Sequence, residues 1–203
     1  MFQYFELCNV VSLTPNFLLF TKNFYDNLWE ENKKFPYYFQ QSGGFLSNKE
    51  FQKSFEELWN EFSSQYSKIN QRREFPVFDI EQLFYQKFNQ LFMDSIEGQE
   101  RFKEIWELFL SWWWSEYVGG KIVLEKISDW RLEQIWNELE KKIIKSPDNS
   151  VTIKYDILII FDTPPSQVQI DFVSFHYQPI SSFIPIYDQN KIVERIFNNV
   201  TGE

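Results

Sequence analysis

Apolar residues recur along this chain with two different periods. From about residue 14 to residue 143 they return every three or four positions, and from residue 151 they alternate. The first spacing predicts helices and the second predicts strands. A leading run over residues 2–13, rich in Phe, Tyr, Val and Leu, reads as a strand. Thr14-Pro15 then reads as an N-cap followed by a proline whose missing N–H costs nothing at that position. The helix behind it is predicted to run to about Lys34, with Phe17, Phe20, Phe24 and Leu28 on one face, and to stop at Phe35-Pro36.

After a loop over residues 36–46, Ser47 and Glu50 have the spacing of a capping box. The clearest helical pattern follows: Phe51, Phe55, Leu58, Trp59, Phe62, Tyr66 and Ile69. Asp79 is placed to cap a third helix with Ile80, Leu83, Phe84, Phe88, Leu91 and Phe92 as its stripe. A fourth is predicted over residues 99–118, between Gly98 and a Gly119-Gly120 stop. Residues 121–127 fit either a short strand or a linker. A fifth helix starts at Ser128 or Asp129 and carries Leu132, Ile135, Trp136, Leu139 and Ile143.

Past a turn at residues 146–149, Val151, Ile153, Tyr155, Ile157, Ile159 and Phe161 alternate as a strand. Ile157 to Phe161 is apolar on both faces, which places that strand centrally. A stiff connection through Pro164-Pro165 leads to a second predicted strand, residues 167–177, and residues 188–199 read as a short closing helix. Segregated helices and strands indicate a single α+β domain. The expected sheet is a C-terminal β-hairpin joined by the N-terminal strand, antiparallel or mixed, because two strands alone are marginal.

Composition changes this picture in one respect. The 203 residues contain no alanine, while 23 Phe, 10 Tyr and 8 Trp make up a fifth of the chain. Two readings of this excess stand side by side, an AT-rich coding bias and a selected aromatic surface. A core built of rings is bulky, and some ring surface is expected to reach the exterior. The formal net charge of −9 opposes duplex DNA and anionic membrane surfaces and suits a basic protein partner. The single cysteine, Cys8, allows no internal disulfide; the first basic residue is Lys22, so the N-terminus lacks the form of a signal peptide. The longest apolar stretch, residues 105–114, is interrupted by Glu107 and Ser111 and is too short for a bilayer. A cytoplasmic location with no membrane association is expected.

Candidate chemistry is sparse. His176 is the only histidine, so any triad or Cys–His pair must use it. No GxSxG, GxGxxG or GK[ST] motif occurs, and no cofactor is expected. One Cys and one His do not make a structural zinc site. Asp156, Asp162 and Asp171 lie on or beside the predicted strands, where carboxylates can hold Mg²⁺. Asp156 and Asp162 share a face but stand about 20 Å apart in an extended strand, too far for one ion. Asp162 could meet Asp171 across the hairpin, giving a metal-dependent hydrolase or nuclease, or a small-ligand site, as the alternative reading. The usual nuclease arrangement of Pro-Asp followed by acid-x-Lys fails, since Thr152-Ile153-Lys154 lacks the acid after Pro147-Asp148.

The most unusual segment is Trp112-Trp113-Trp114, with Tyr117 close behind. Three successive helical residues spread over about 200° of circumference, so the rings cannot all face one core: either this helix is central and surrounded, or at least one Trp is exposed. Tyr37 and Tyr38 form a second aromatic candidate in the loop before Gly43-Gly44. Exposed rings on an acidic surface indicate a non-enzymatic binding protein, of an inhibitor, immunity or adaptor type. Trp112, Trp113, Trp114, Tyr117, Tyr37 and Tyr38 are its expected anchors. Association with a second copy through the tryptophans is a further possibility.

Overall fold

The structure is a computed structural model, and it describes residues 5–37, 43–72, 84–117, 119–144, 153–183 and 189–201. Strand β1 (Phe5–Val10) leads into helix α1 (Leu13–Asp26) and then α2 (Asn48–Arg72). A 3-10 turn (Phe88–Leu91) precedes α3 (Ile96–Trp113) and α4 (Gly120–Ile144). Strands β2 (Ile153–Ile160) and β3 (Phe175–Pro179) follow, then a 3-10 turn (Ile180–Phe183) and α5 (Gln189–Thr201). Helices and strands are segregated, as an α+β chain requires. No described helix is long and apolar enough to cross a membrane.

The sheet corrects the expected topology. Its order is β1-β2-β3 and both pairings are parallel. The connection from β2 to β3 is not a tight hairpin. A parallel return needs a crossover of a dozen residues or more, and residues 161–174 supply it. Most of the predicted strand 167–177 is therefore crossover. Val168 is buried within it, which explains its apolar pattern. Only residues 170–172 lie beside β3, antiparallel to it, with Phe172 N–H donating to Phe175 O and Tyr177 N–H to Ile170 O, both at 2.9 Å. A turn at residues 173–174 thus makes a short reversal on β3, not between β2 and β3.

Both faces of the sheet are covered. On one, α2 lays Trp59 against Tyr177 at 4.5 Å between rings and Tyr66 against Phe175 at 4.9 Å. On the other, α4 and α5 pack, and Asn199 of α5 donates to the Tyr155 hydroxyl. This double cover explains why β2 is apolar on both sides. Phe51, Phe55, Leu58, Trp59, Phe62 and Tyr66 are buried as their spacing predicts. Beyond the sheet, Phe17 of α1 packs among Phe88, Trp106 and Phe109.

Several boundaries move. The cap of α1 is Ser12, not Thr14, so Pro15 falls at the third helical residue, still in the first turn where no N–H is required. Helix α1 ends at Asp26, well before Lys34. Ser95 caps α3 by accepting from Gly98 N–H at 3.1 Å, so Gly98 lies inside the helix. Gly120 opens α4 instead of closing α3, and residues 121–127 are helical. Asp79 and its predicted cap lie outside the described residues, but Phe84, Phe88, Leu91 and Phe92 are buried.

Candidate functional site

Two asparagines one turn apart, Asn23 in the last turn of α1 and Asn27 at its C-cap, organise the surface at the carboxyl end of β2. Asn23 donates to the Phe35 carbonyl at 3.0 Å and to Asp162 Oδ2 at 2.7 Å. Asn27 donates to the carbonyls of Lys34 (2.7 Å) and Pro36 (2.9 Å), and accepts from Lys34 N–H (2.8 Å). The Lys33 ammonium closes the loop by donating to the Asn27 carbonyl. Both asparagines are buried. Their amides satisfy the backbone of a loop that has no ladder of its own, which holds residues 33–36 in one place.

That loop delivers Phe35 to Trp112 at 5.0 Å and to Phe161 at 6.0 Å, while Trp112 and Phe161 lie 5.3 Å apart. Phe20 supports Trp112 from beneath in a stacked pair at 5.7 Å. Tyr37 rests on Phe35 at 6.4 Å and is exposed. Three segments far apart in sequence therefore form one aromatic surface. Phe35, Trp112 and Phe161 are half-buried members and Tyr37 stands at its edge.

The tryptophan triplet divides as the helical geometry demands. Trp113 is 1% exposed and stacks on Phe109, Trp112 is half-buried, and Trp114 is 58% exposed. Tyr117, just past the helix end, is 89% exposed. The Lys121 ammonium sits 4.9 Å from the Trp114 ring, a cation–π contact. Of the six expected anchors, the structure leaves Trp114, Tyr117 and Tyr37 accessible, uses Trp113 in the core, and makes Trp112 part of the platform. Tyr38 lies outside the described residues. Exposed Trp29 and Trp130 were not singled out from the sequence. Trp130 falls off the stripe of Leu132, Ile135 and Leu139, a signal that could have found it. Trp29 stands on the turn after α1, because that helix ends at Asp26, short of the expected Lys34.

A cleft of about 530 Å³ reaches the 33–36 loop at Lys34. Tyr25, Trp29 and Asp26 from the end of α1, Asn48 and Gln52 from the start of α2, and the loop at Pro164 and Pro165 line it. The cleft lies past the carboxyl end of β2, where open parallel sheets commonly admit ligands. At its base Lys22 and Asp26 form a nearly buried ion pair at 2.6 Å.

The three carboxylates do not converge, and of them only Asp171 lies beside His176, opposite it in an antiparallel bridge. Asp162 is held by Asn23 and by its neighbour's N–H, from Thr163 at 2.7 Å. Asp171 takes a two-pronged bond from Arg195, at 2.5 and 2.7 Å. Burial works to raise the Asp171 carboxyl, but the bonds and charge of Arg195 outweigh it and hold the group below its usual range. The two carboxylates do not meet across a hairpin because β2 and β3 form none. Asp156 points to α2, where Tyr66 donates to its Oδ2 at 2.6 Å; burial raises its pKa, and the Tyr66 bond offsets only part of that rise.

His176 faces the opposite side, fully buried between the Tyr155 hydroxyl at 3.1 Å and Gln178 Oε1 at 3.0 Å. Burial, then the charge of Arg195, pushes its pKa down to about 3, so the ring is neutral. Cys8 pairs across the sheet with Asp156, on the face away from His176, so no Cys–His pair forms. Burial, with help from Asp156, pushes the Cys8 thiol up to about 11, unlike a reactive thiolate. Among the described residues no three His, Cys, Asp or Glu side chains cluster as metal ligands.

No protein-family model matches the sequence, and comparison with curated proteins and with solved structures finds no match either.

Proposed function

We propose that this protein is a non-enzymatic binding protein, of the inhibitor, immunity or adaptor kind, that recognises a basic protein partner through aromatic anchors. The observation that carries this reading is the fixed aromatic surface of Tyr37, Phe35, Trp112 and Phe161. Rings held in place before binding lose little conformational freedom when a partner arrives. Trp114 and Tyr117, on the turn after α3, supply further amphipathic ring area. The net charge of −9 favours a basic partner and speeds its encounter.

The test is capture of a partner from source-cell lysate at low and high salt, beside a Tyr37→Ser, Trp114→Ser double variant. A basic protein held in stoichiometric amount by the parent, released by salt and lost in the variant, is the expected result. Capture indifferent to both ring substitutions, or none at either salt, removes this reading.

The cleft beside Trp29 favours a second reading, a small-ligand binder. Its position past the carboxyl end of a parallel strand supports it. Quenching of tryptophan emission by a metabolite panel, abolished by Trp29→Leu, distinguishes it from the first. The separate engagement of Asp162 and Asp171 counts against a metal-dependent hydrolase at that pair.

A further inference from the structure

Three buried oxygens beneath α2 have no hydrogen-bond partner: Asp156 Oδ1, Asn70 Oδ1 and Ser174 Oγ. They belong to β2, α2 and the turn before β3, yet one carbonyl ties them together. Ser174 O accepts from Asn70 Nδ2 at 3.1 Å and from Asp156 N–H at 3.0 Å. Tyr66, one turn before Asn70, fixes the other carboxylate oxygen of Asp156 at 2.6 Å. Asp156 is 3% exposed and Asn70 is 7% exposed, so bulk water does not solvate them. A buried acceptor left unmade costs more than a typical hydrogen bond contributes. Three on residues joined at one carbonyl point to a bound species.

We propose that Asp156, Asn70 and Ser174 bind a monovalent cation of the sodium or potassium type. Carboxylate, amide and hydroxyl oxygens suit a hard ion and offer no soft donor. Charge decides the valence. Glu6 and Lys154 flank the carboxylate from half-buried positions and act on it with opposite signs. The surplus is the single negative charge of Asp156. A monovalent ion neutralises it, whereas a divalent ion leaves a net positive charge in the interior, which is costly.

Thermal unfolding at one ionic strength in sodium, potassium or N-methylglucamine chloride tests the site. A cation that binds only the folded chain, at ten times its Kd, raises the midpoint by about 3–6 °C for a chain of this size. The expected result is a saturable rise with sodium or potassium over N-methylglucamine, lost in Asp156→Asn. Ser174→Ala keeps the carbonyl that organises the site, so it folds and shows a weakened cation response. Equal midpoints in the three salts overturn the proposal and leave the oxygens bridged by water. A rise that persists in both variants is a general salt effect and overturns it too. A larger response to millimolar Mg²⁺ or Ca²⁺ through the same residues overturns the monovalent assignment.

Discussion

Trp112 packs directly on the backbone of Gly120: a β-carbon there would lie 2.5 Å from two atoms of the indole. Real side chains do not approach so closely, so this contact accounts for the glycine. It also places the start of α4 beneath the platform ring. Ala is ordinarily favoured over Gly in a helix by up to about 1 kcal/mol. Gly120→Ala is expected to do the opposite, destabilising by about 1–3 kcal/mol through overpacking. Urea unfolding measures it. In a Trp112→Leu background the cost shrinks, and the double-mutant cycle isolates the contact.

Asn23 joins the 33–36 loop to Asp162 through one amide nitrogen. Asn23→Ala leaves the Phe35 carbonyl and one Asp162 oxygen without this donor, at an expected cost of about 1–3 kcal/mol. If the loop positions Tyr37 and Phe35 for a partner, the same change weakens binding although Asn23 itself is buried. Stability and affinity, measured on one preparation, separate the two effects.

The tryptophan triplet gives a contrast within three residues. Trp113→Ala removes a fully buried ring and is expected to cost about 3–5 kcal/mol. Trp114→Ala and Tyr117→Ala change exposed positions and are expected to stay within about 0.5 kcal/mol of the parent. An anchor role appears instead as a loss of partner affinity of about tenfold or more for Trp114→Ala.

The buried His176 carries a pH dependence whose sign follows from its environment. Its folded pKa of about 3 lies below the ordinary 6.5, so the unfolded chain binds the extra proton between those values. Stability therefore falls as pH drops below about 6.5, by up to about 1.4 kcal/mol per unit. The groups around the ring are Tyr155, Gln178 and Arg195, with Asp171 acting through its charge. Asp171, held low, adds its own loss only below the usual carboxylate range, while Asp156, held high, works in the opposite sense above it. Comparison of the parent with His176→Gln between pH 6 and pH 5 isolates the histidine. A parallel slope in the two proteins contradicts this assignment.

Helix faces were legible because periodicity is local. Phe51 to Tyr66 needed only the spacing of apolar residues to be placed in the core, and helical geometry required that Trp112, Trp113 and Trp114 not all face one core, while the fold decided that Trp114 is the exposed one. The alternation through Ile157 and Ile159 likewise marked β2 and its central position. Strand direction was not legible. Val168, Ile170 and Phe172 alternate as a strand would, yet most of that segment is the crossover that lets β3 run parallel to β2. Its burial against the rest of the molecule, not pairing with β2, produced the pattern.

The sequence by itself determined the main helical faces, the central strand β2, the aromatic core and the excess of rings over what one core can hide. Only the tertiary structure decided which rings meet. Phe35, Trp112 and Phe161 are scattered along the chain, and Asn23 and Asn27 bring the first of them into register through side-chain bonds to backbone carbonyls. Such bonds depend on where a loop closes in space, and no residue period encodes that. The same holds for Asp156, Asn70 and Ser174, which share a carbonyl only because β3 returns parallel beside β2 under α2.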